Sequence, residues 1–301
     1  MPDHPSVVLL VNADRAEGEE SEVLERLGAL GIDVDFREVG AFDELPEAAR
    51  RAVAEGASIV AVAGGDGSVR AAAGALAGTD AALAVVPSGS VNLLAATVGI
   101  ESMEDAAEAI ANGSTRHLDV AQLDDELWCL NATSGFDAEV IADTSRRSKE
   151  RLGKLAFVLT AVTHLRDAPV PVRVSLDDEP WFDGRATSVL VLNVGERGGT
   201  DFSVIPGAEP DDGRLDVAVM RTRGVSGMVR LFWRLARGRR PSTADMVCAQ
   251  GRRVTVEWAR PVAVQIDGDG GDPRARLDIE VRHAVLGVRS LPATLDTTST
   301  S

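Results

Sequence analysis

The first third of the chain alternates short unbroken apolar runs with longer stretches in which apolar residues recur every three or four positions. Residues 6–11 form the first run, and residues 19–30 the first amphipathic stretch, closed by Gly31. The pattern then predicts a strand at 33–36, a helix at 45–55 closed by Gly56, a strand at 57–63, a helix at 69–76 and a strand at 81–86. Helices at 91–98 and 103–111 follow, the second with Gly113 behind it. Apolar strands alternating with helices predict a parallel sheet covered on both faces. Such sheets bind ligands at the carboxyl ends of their strands. Asn12, Gly65 and Ser90 fall there on this reading.

Near residue 117 the pattern changes. Short strands are predicted at 118–123, 127–131, 170–176, 188–194, 215–220, 253–258, 262–266 and 277–281. Polar turns such as Asp177-Asp178-Glu179-Pro180 and Asp267-Gly268-Asp269-Gly270-Gly271 separate them. This predicts an antiparallel β-sandwich, interrupted by helices at 148–165 and 226–236. The expected organisation is an α/β chain: a doubly wound parallel-sheet domain over 1–122, a β-rich domain over 123–284 and a disordered Thr/Ser-rich tail over 293–301.

Composition narrows the class. The chain has 301 residues, of which 26% are charged, as in an ordinary globular protein. No run of 18 apolar residues occurs, so no transmembrane helix is expected. The start, Met1-Pro2-Asp3-His4-Pro5, has no basic region, so no signal peptide is expected. Cys129 and Cys248 read as reduced core thiols of a cytoplasmic protein. The four histidines have no metal spacing. The net charge of −16 is unevenly placed: residues 1–122 hold 21 acidic against 7 basic residues. That acidity argues against nucleic acid as a partner.

One segment carries chemistry. The run to Ala63 ends in Gly64-Gly65-Asp66-Gly67-Ser68, and an Ala-rich helix follows at once. Glycine permits a sharp turn and close approach of a ligand to the backbone. The helix start offers unbonded N–H groups and a positive dipole end to phosphate. Asp66 reads either as a helix cap or as an acid that orients a hydroxyl or a metal-bound phosphate.

This loop resembles that of the diacylglycerol kinase catalytic-domain family, which includes bacterial lipid kinases and sphingosine kinases. Pro87-Ser88-Gly89-Ser90-Val91-Asn92-Leu93-Leu94-Ala95 is similar to the family's second loop. Leu118-Asp119-Val120, the stretch from Asn131 to Ala138, the stretch from Ile205 to Asp216, and Gln265-Ile266-Asp267-Gly268-Asp269 resemble further family blocks, in family order. The resemblance implies that a last strand, about 285–292, returns to the N-terminal domain. It makes that domain nucleotide-binding and the β-rich domain the lipid-substrate domain.

The resemblance also implies site residues. Asn12, Gly64, Gly65, Gly67, Ser68, Gly89, Ser90 and Asn92 would hold ATP. Asp66 would align the acceptor hydroxyl or the metal. Asp267 or Asp269 would be the general base for attack on the γ-phosphate, although the same residues also read as a plain hairpin turn. Glu209, Asp212 and the backbone carbonyl of Arg214 would form a structural Mg²⁺ site, although Asp211-Asp212-Gly213 also reads as a plain turn between strands. Apart from the resemblance, a helix read over 225–240 carries Arg230, Arg234 and Arg237 on one face; it reads either as an ordinary surface helix with its apolar face in the core or as a basic face suited to an anionic bilayer. The expected partner is a lipid substrate at a membrane surface. The expected location is the cytoplasm, with room for attachment to the inner membrane face, and a homodimer is left open.

The chain departs from the family pattern in four places. Its first strand ends Asn12-Ala13-Asp14-Arg15-Ala16-Glu17-Gly18, more acidic than the family's loop. Arg70-Ala71 stands where the family has Asn-Glu, and Asn92-Leu93-Leu94 where it has Asn-Asp-Phe. At 269 an Asp replaces the family's Glu. These departures keep open a catalytically weak relative that binds lipid or nucleotide. An NAD kinase is a third reading, since that family shares a related loop.

Overall fold

The computed structural model describes residues 5–12, 19–89, 92–135, 169–194, 208–222, 234 and 242–291. The helices expected at 148–165 and 226–236 lie outside the described residues, apart from Arg234, and so does the tail from 293. The chain divides into two compact units, Met1–Asp119 with Ala284–Ser301, and Val120–His283.

In the first unit, β1 (Val7–Asn12), α1 (Glu19–Ala29), β2 (Val34–Val39), α2 (Leu45–Ala54), β3 (Ile59–Gly64), α3 (Asp66–Leu76) and β4 (Ala82–Pro87) alternate. Two further helices, α4 (Leu93–Thr97) and α5 (Met103–Asn112), follow β4. The strands run parallel in the order β2-β1-β3-β4, with Val7 opposite both Val34 and Ile59, and Ile59 opposite Ala82. Every residue of β1 and β3 is buried. Six consecutive buried positions require cover on both faces. The helices supply it as two packed pairs, α1 with α5 and α2 with α3. Each shows its reason locally. α2 buries Leu45, Ala49 and Ala52 on one face, with a proline in its first turn. α5 starts with a reciprocal capping box between Ser102 and Asp105.

β1 hands the chain to β2 on one side, and β3 hands it to β4 on the other, so the sheet reverses direction between β1 and β3. That is where a ligand crevice forms in such sheets.

The second unit is an antiparallel sandwich. Its strands are β6 (Glu126–Trp128), β7 (Asn131–Gly135), β8 (Val170–Leu176), β9 (Glu179–Ala186), β10 (Ser188–Leu192), β11 (Leu215–Met220), β12 (Met246–Gly251) and β13 (Arg253–Ile266). Two long strands, β5 (Ser114–Leu123) and β14 (Asp269–Ser290), pass from one unit to the other. The first half of β13 pairs with β8, and its last three residues pair with β7. Between them the register against β14 slips twice, from Glu257 to Val264. Pro261 stands in that slip, where its missing N–H costs no ladder bond. β13 therefore serves both layers, and Trp128, Val174, Val189, Val217, Val256 and Leu277 meet in the core between them.

Several elements differ from expectation. The single strand predicted over 127–131 is two strands joined by a bend at Cys129 and Leu130. β9 begins inside the turn expected at 177–180 and, like β12, has no predicted counterpart, because Pro180, Asp183 and Gly184 mask its alternation. The breaks predicted within 253–266 and 277–291 are bulges inside continuous strands; at Ala284, φ is +54° and Asp119 Oδ1 accepts its N–H at 2.7 Å. Cys129 is buried, but Cys248 is exposed on β12, contrary to the reading of both as core thiols.

Candidate functional site

The carboxyl ends of β3 and β4 carry the two glycine loops. Gly64 and Pro87 are register partners, and Ser88 N donates to Gly64 O at 3.4 Å. The loops then touch backbone to backbone. A Cβ on Gly89 would lie 2.6 Å from Gly65 Cα and 2.7 Å from Asn92 Oδ1. The Gly65 backbone cannot retreat cheaply, so Gly89 must be glycine if the loops are to meet.

Beyond Gly65 the backbone enters α3, three residues earlier than the expected 69. The first intrahelical bond runs from Val69 N to Gly65 O at 3.1 Å. The N–H groups of Gly65, Asp66, Gly67 and Ser68 thus fall outside the helical ladder, in the position that suits phosphate oxygens. The Ser68 side chain does not join them. It is 5% exposed and tucked under Gly64, where an added Cβ would come within 2.7 Å of its Oγ. Its expected role as a hydroxyl donor to phosphate is therefore corrected to packing beneath the strand end.

Asn92 explains why α4 is only five residues long, against the predicted 91–98. Its backbone is left-handed, at φ 51°. Its amide turns back on Gly89, donating to the carbonyl at 2.7 Å and accepting from Gly89 N at 3.0 Å. Asn92 shapes the second loop. Asn12 ends β1 as a buried residue at the same end of the sheet. Ser90 lies outside the described residues.

Asp66 is half-buried in the first turn of α3, but it does not cap that helix. Its Oδ1 accepts the N–H of Leu94 at 3.4 Å, at the start of α4. Burial pushes its carboxyl above the ordinary carboxylate range, and the N–H groups of Leu94, Leu93 and Asn92 only partly oppose this. Asp66 thereby couples one glycine loop to the other.

Asp267 and Asp269 have unlike surroundings. Asp267 and Gly268, at φ +47° and +91°, form the two-residue turn between β13 and β14. The hairpin reading of this segment therefore holds for its backbone. The Asp267 side chain does more than turn. It is 7% exposed, and its oxygens accept N–H groups from Cys129 at 3.0 Å, Leu130 at 3.0 Å and Asn131 at 2.8 Å. A carboxylate engaged in this way holds the facing backbone in place. Asp269 opens β14 opposite Ile266 and is exposed. Next to this turn, Gln265 is 1% exposed, and its Oε1 has no hydrogen-bond partner among the described residues.

Glu209 and Asp212 are exposed, and Asp212 Oδ1 accepts the N–H of Arg214 at 2.8 Å. Among the described residues no three His, Cys, Asp or Glu side chains come together. Asp216, on β11, lies in the same stretch. Burial raises its pKa first, and the charge of Asp212 adds to the shift, while the Gln250 amide at 3.2 Å opposes it.

Comparison with known proteins matches each unit to a family model. Residues 6–123 match the diacylglycerol kinase catalytic domain, and residues 131–290 the YegS C-terminal NAD kinase beta sandwich-like domain. The chain belongs to the family of diacylglycerol kinase-like lipid kinases. It is 30% identical over 295 residues to a Pseudomonas aeruginosa protein named as a probable lipid kinase, YegS-like, covering 97% of this chain and 96% of that one. The diacylglycerol kinase of Bacillus subtilis is 25% identical over 256 residues, covering 83% of this chain and 84% of that one. A solved diacylglycerol kinase structure from Bacillus anthracis shares the fold, with a TM-score of 0.73 at 19% identity over 98% of this chain and all of that one. Among the described residues no helix is long and apolar enough to cross a membrane.

Proposed function

We propose that this chain is an ATP-dependent lipid kinase that transfers the γ-phosphoryl group to a hydroxyl of diacylglycerol or a related lipid. The observation that carries the reading is the close contact of Gly65 with Gly89 at the carboxyl ends of β3 and β4. It sets two turns and the unbonded N–H groups of α3 at one place, which fits a polyphosphate. Asn12, Gly64, Gly65, Gly67, Gly89 and Asn92 are assigned to this cradle, with Ser90 added from the family pattern. Mg²⁺ supplied with the nucleotide would neutralise phosphate charge, which the acidic first unit does not do by itself.

Asp66 holds the two loops in register and, with its raised pKa, is the acid nearest the cradle in sequence. The base is assigned to Asp269, because Asp267 is occupied by three backbone donors. Asp269 takes the proton from the lipid hydroxyl as that oxygen bonds to the γ-phosphorus and the bond to the β-phosphate oxygen breaks. Glu209, Asp212 and the Arg214 carbonyl, supported by Asp216, are the proposed second Mg²⁺ site.

The test is transfer of labelled phosphate from ATP into a lipid panel that includes diacylglycerol, with NAD as a control acceptor. Lipid labelling supports the kinase reading. Labelling of NAD alone would replace it with an NAD kinase. A second reading, a weak relative that binds without turnover, is favoured by the engagement of Asp66 on α4. ATP binding with no labelled acceptor would establish that one.

A further inference from the structure

The bend between β6 and β7 is gripped from two sides. On one side Asp267 takes the N–H groups of Cys129, Leu130 and Asn131, and its own N–H donates to Asn131 O at 2.8 Å. On the other side is Asn193, just beyond β10. Its Nδ2 donates to Cys129 O at 2.8 Å, and its backbone N donates to Leu130 O at 2.9 Å. Val194 N adds a second bond to Leu130 O at 3.3 Å. Every backbone donor and acceptor of these three bend residues is thus bonded. A buried bend outside a strand ladder is costly unless its polar groups are paired. Here two side chains do most of the pairing, and both are almost fully buried, Asn193 at 1% and Asp267 at 7%.

The grip has a consequence for Asp269. Asp267 and Gly268 are the entire turn of the hairpin, and Asp269 is the next residue. With the Asp267 carboxylate fixed on the bend, the backbone position of Asp269 is fixed too. The bend cannot shift without carrying Asp267, and Asn193 prevents it from shifting. We propose that Asn193 is a positioning residue for phosphoryl transfer, which holds the Cys129–Asn131 bend so that Asp267 can hold Asp269 in place. This rests on the kinase reading and deepens it. A carboxylate misplaced by about 1 Å can lose on the order of a hundredfold in rate while substrate binding is untouched.

The test uses the full chain with Asn193→Asp, which keeps the shape but turns an oxygen toward the Cys129 carbonyl. Asn193→Ser serves as a milder companion in case the buried charge prevents folding. Steady-state kcat and both KM values are measured across pH on the best lipid acceptor, with amide hydrogen exchange at residues 129–131. The expected result is a fall in kcat of tenfold or more. KM for ATP and lipid should stay within twofold, the midpoint of the acidic limb should not move, and exchange at the bend should be faster. Faster exchange with native kcat would overturn the proposal and leave Asn193 as fold support alone. A raised KM at native kcat would also overturn it, by moving Asn193 into binding. A wild-type protein that turns over no lipid would overturn the kinase reading itself, and the positioning role with it.

Discussion

Gly89 lies so close to Gly65 that a methyl group on either residue would meet the other, but not to the same degree. A Cβ on Gly89 would stand 2.6 Å from the Gly65 α-carbon, whereas a Cβ on Gly65 would stand 3.4 Å from the Gly89 α-carbon. Gly65 also has an extended backbone that other residues adopt. Gly89→Ala is therefore expected to lower stability by about 1–3 kcal/mol, the usual range for overpacking. It should also weaken ATP binding. Gly65→Ala should change stability by less than about 1 kcal/mol. Urea unfolding with and without Mg²⁺-ATP checks both, and equal effects of the two substitutions would refute the contact.

Asp66 makes a prediction about pH. Its folded-state pKa is raised, mainly by burial. The stability it contributes is fully present below the ordinary carboxylate pKa and is lost as pH rises through the higher folded value. Asp66→Asn removes that loss, so the mutant should gain stability on the wild type as pH increases across this window. Denaturant unfolding at several pH values measures the difference curve; a flat curve would contradict the shift. If Asp66 serves the proposed transfer, the mutant should lose most turnover.

At position 269 the expected acid arm is one carbon short. Asp269→Glu should keep or raise lipid kinase activity, and Asp269→Asn should lower kcat on the order of a hundredfold. Steady-state rates on the preferred lipid decide this. A native rate in Asp269→Asn would move the base elsewhere.

Charge placement predicts a requirement for the divalent ion. Residues 1–122 carry a net of −14, so free ATP should be repelled unless Mg²⁺ accompanies it. Calorimetry should show markedly weaker ATP binding in EDTA than in Mg²⁺. Without nucleotide, Mg²⁺ should raise Tm through the second site, and Asp212→Asn should abolish that rise. An equal rise in the mutant would remove Asp212 from the site.

The parts of the fold that could be read in the sequence were those where burial leaves no choice of residue. β1, β3 and β11 are buried at every position, so their apolar runs stand out. β9 and the seam of β13 did not, because an edge strand and a bulge tolerate the proline and glycine that usually mark turns. The site was legible as motifs and less so as roles. Asp-Gly-Asp shows two equivalent acids, and only the fold reveals that one faces three buried N–H groups across a sequence distance of more than 130 residues. Ser68 and Asn92 likewise read as ligand groups; the fold buries Ser68 beneath Gly64 and bonds the Asn92 amide to the Gly89 backbone, relations the motif does not display. Asn193 carried no signal at all, because its bonds go to backbone atoms whose bend the pattern had drawn as a straight strand.

β14 gives the first unit its fifth strand, parallel to β4, with Val288 opposite Leu83. That strand is synthesised after the whole of the second unit. On the ribosome, the outer edge of β4 is therefore complete only when residues beyond 284 emerge. Until then β4 offers an unpaired apolar edge to any neighbouring chain. Maturation of the glycine loops is thus tied to completion of the sandwich, and a nascent chain should acquire nucleotide binding last.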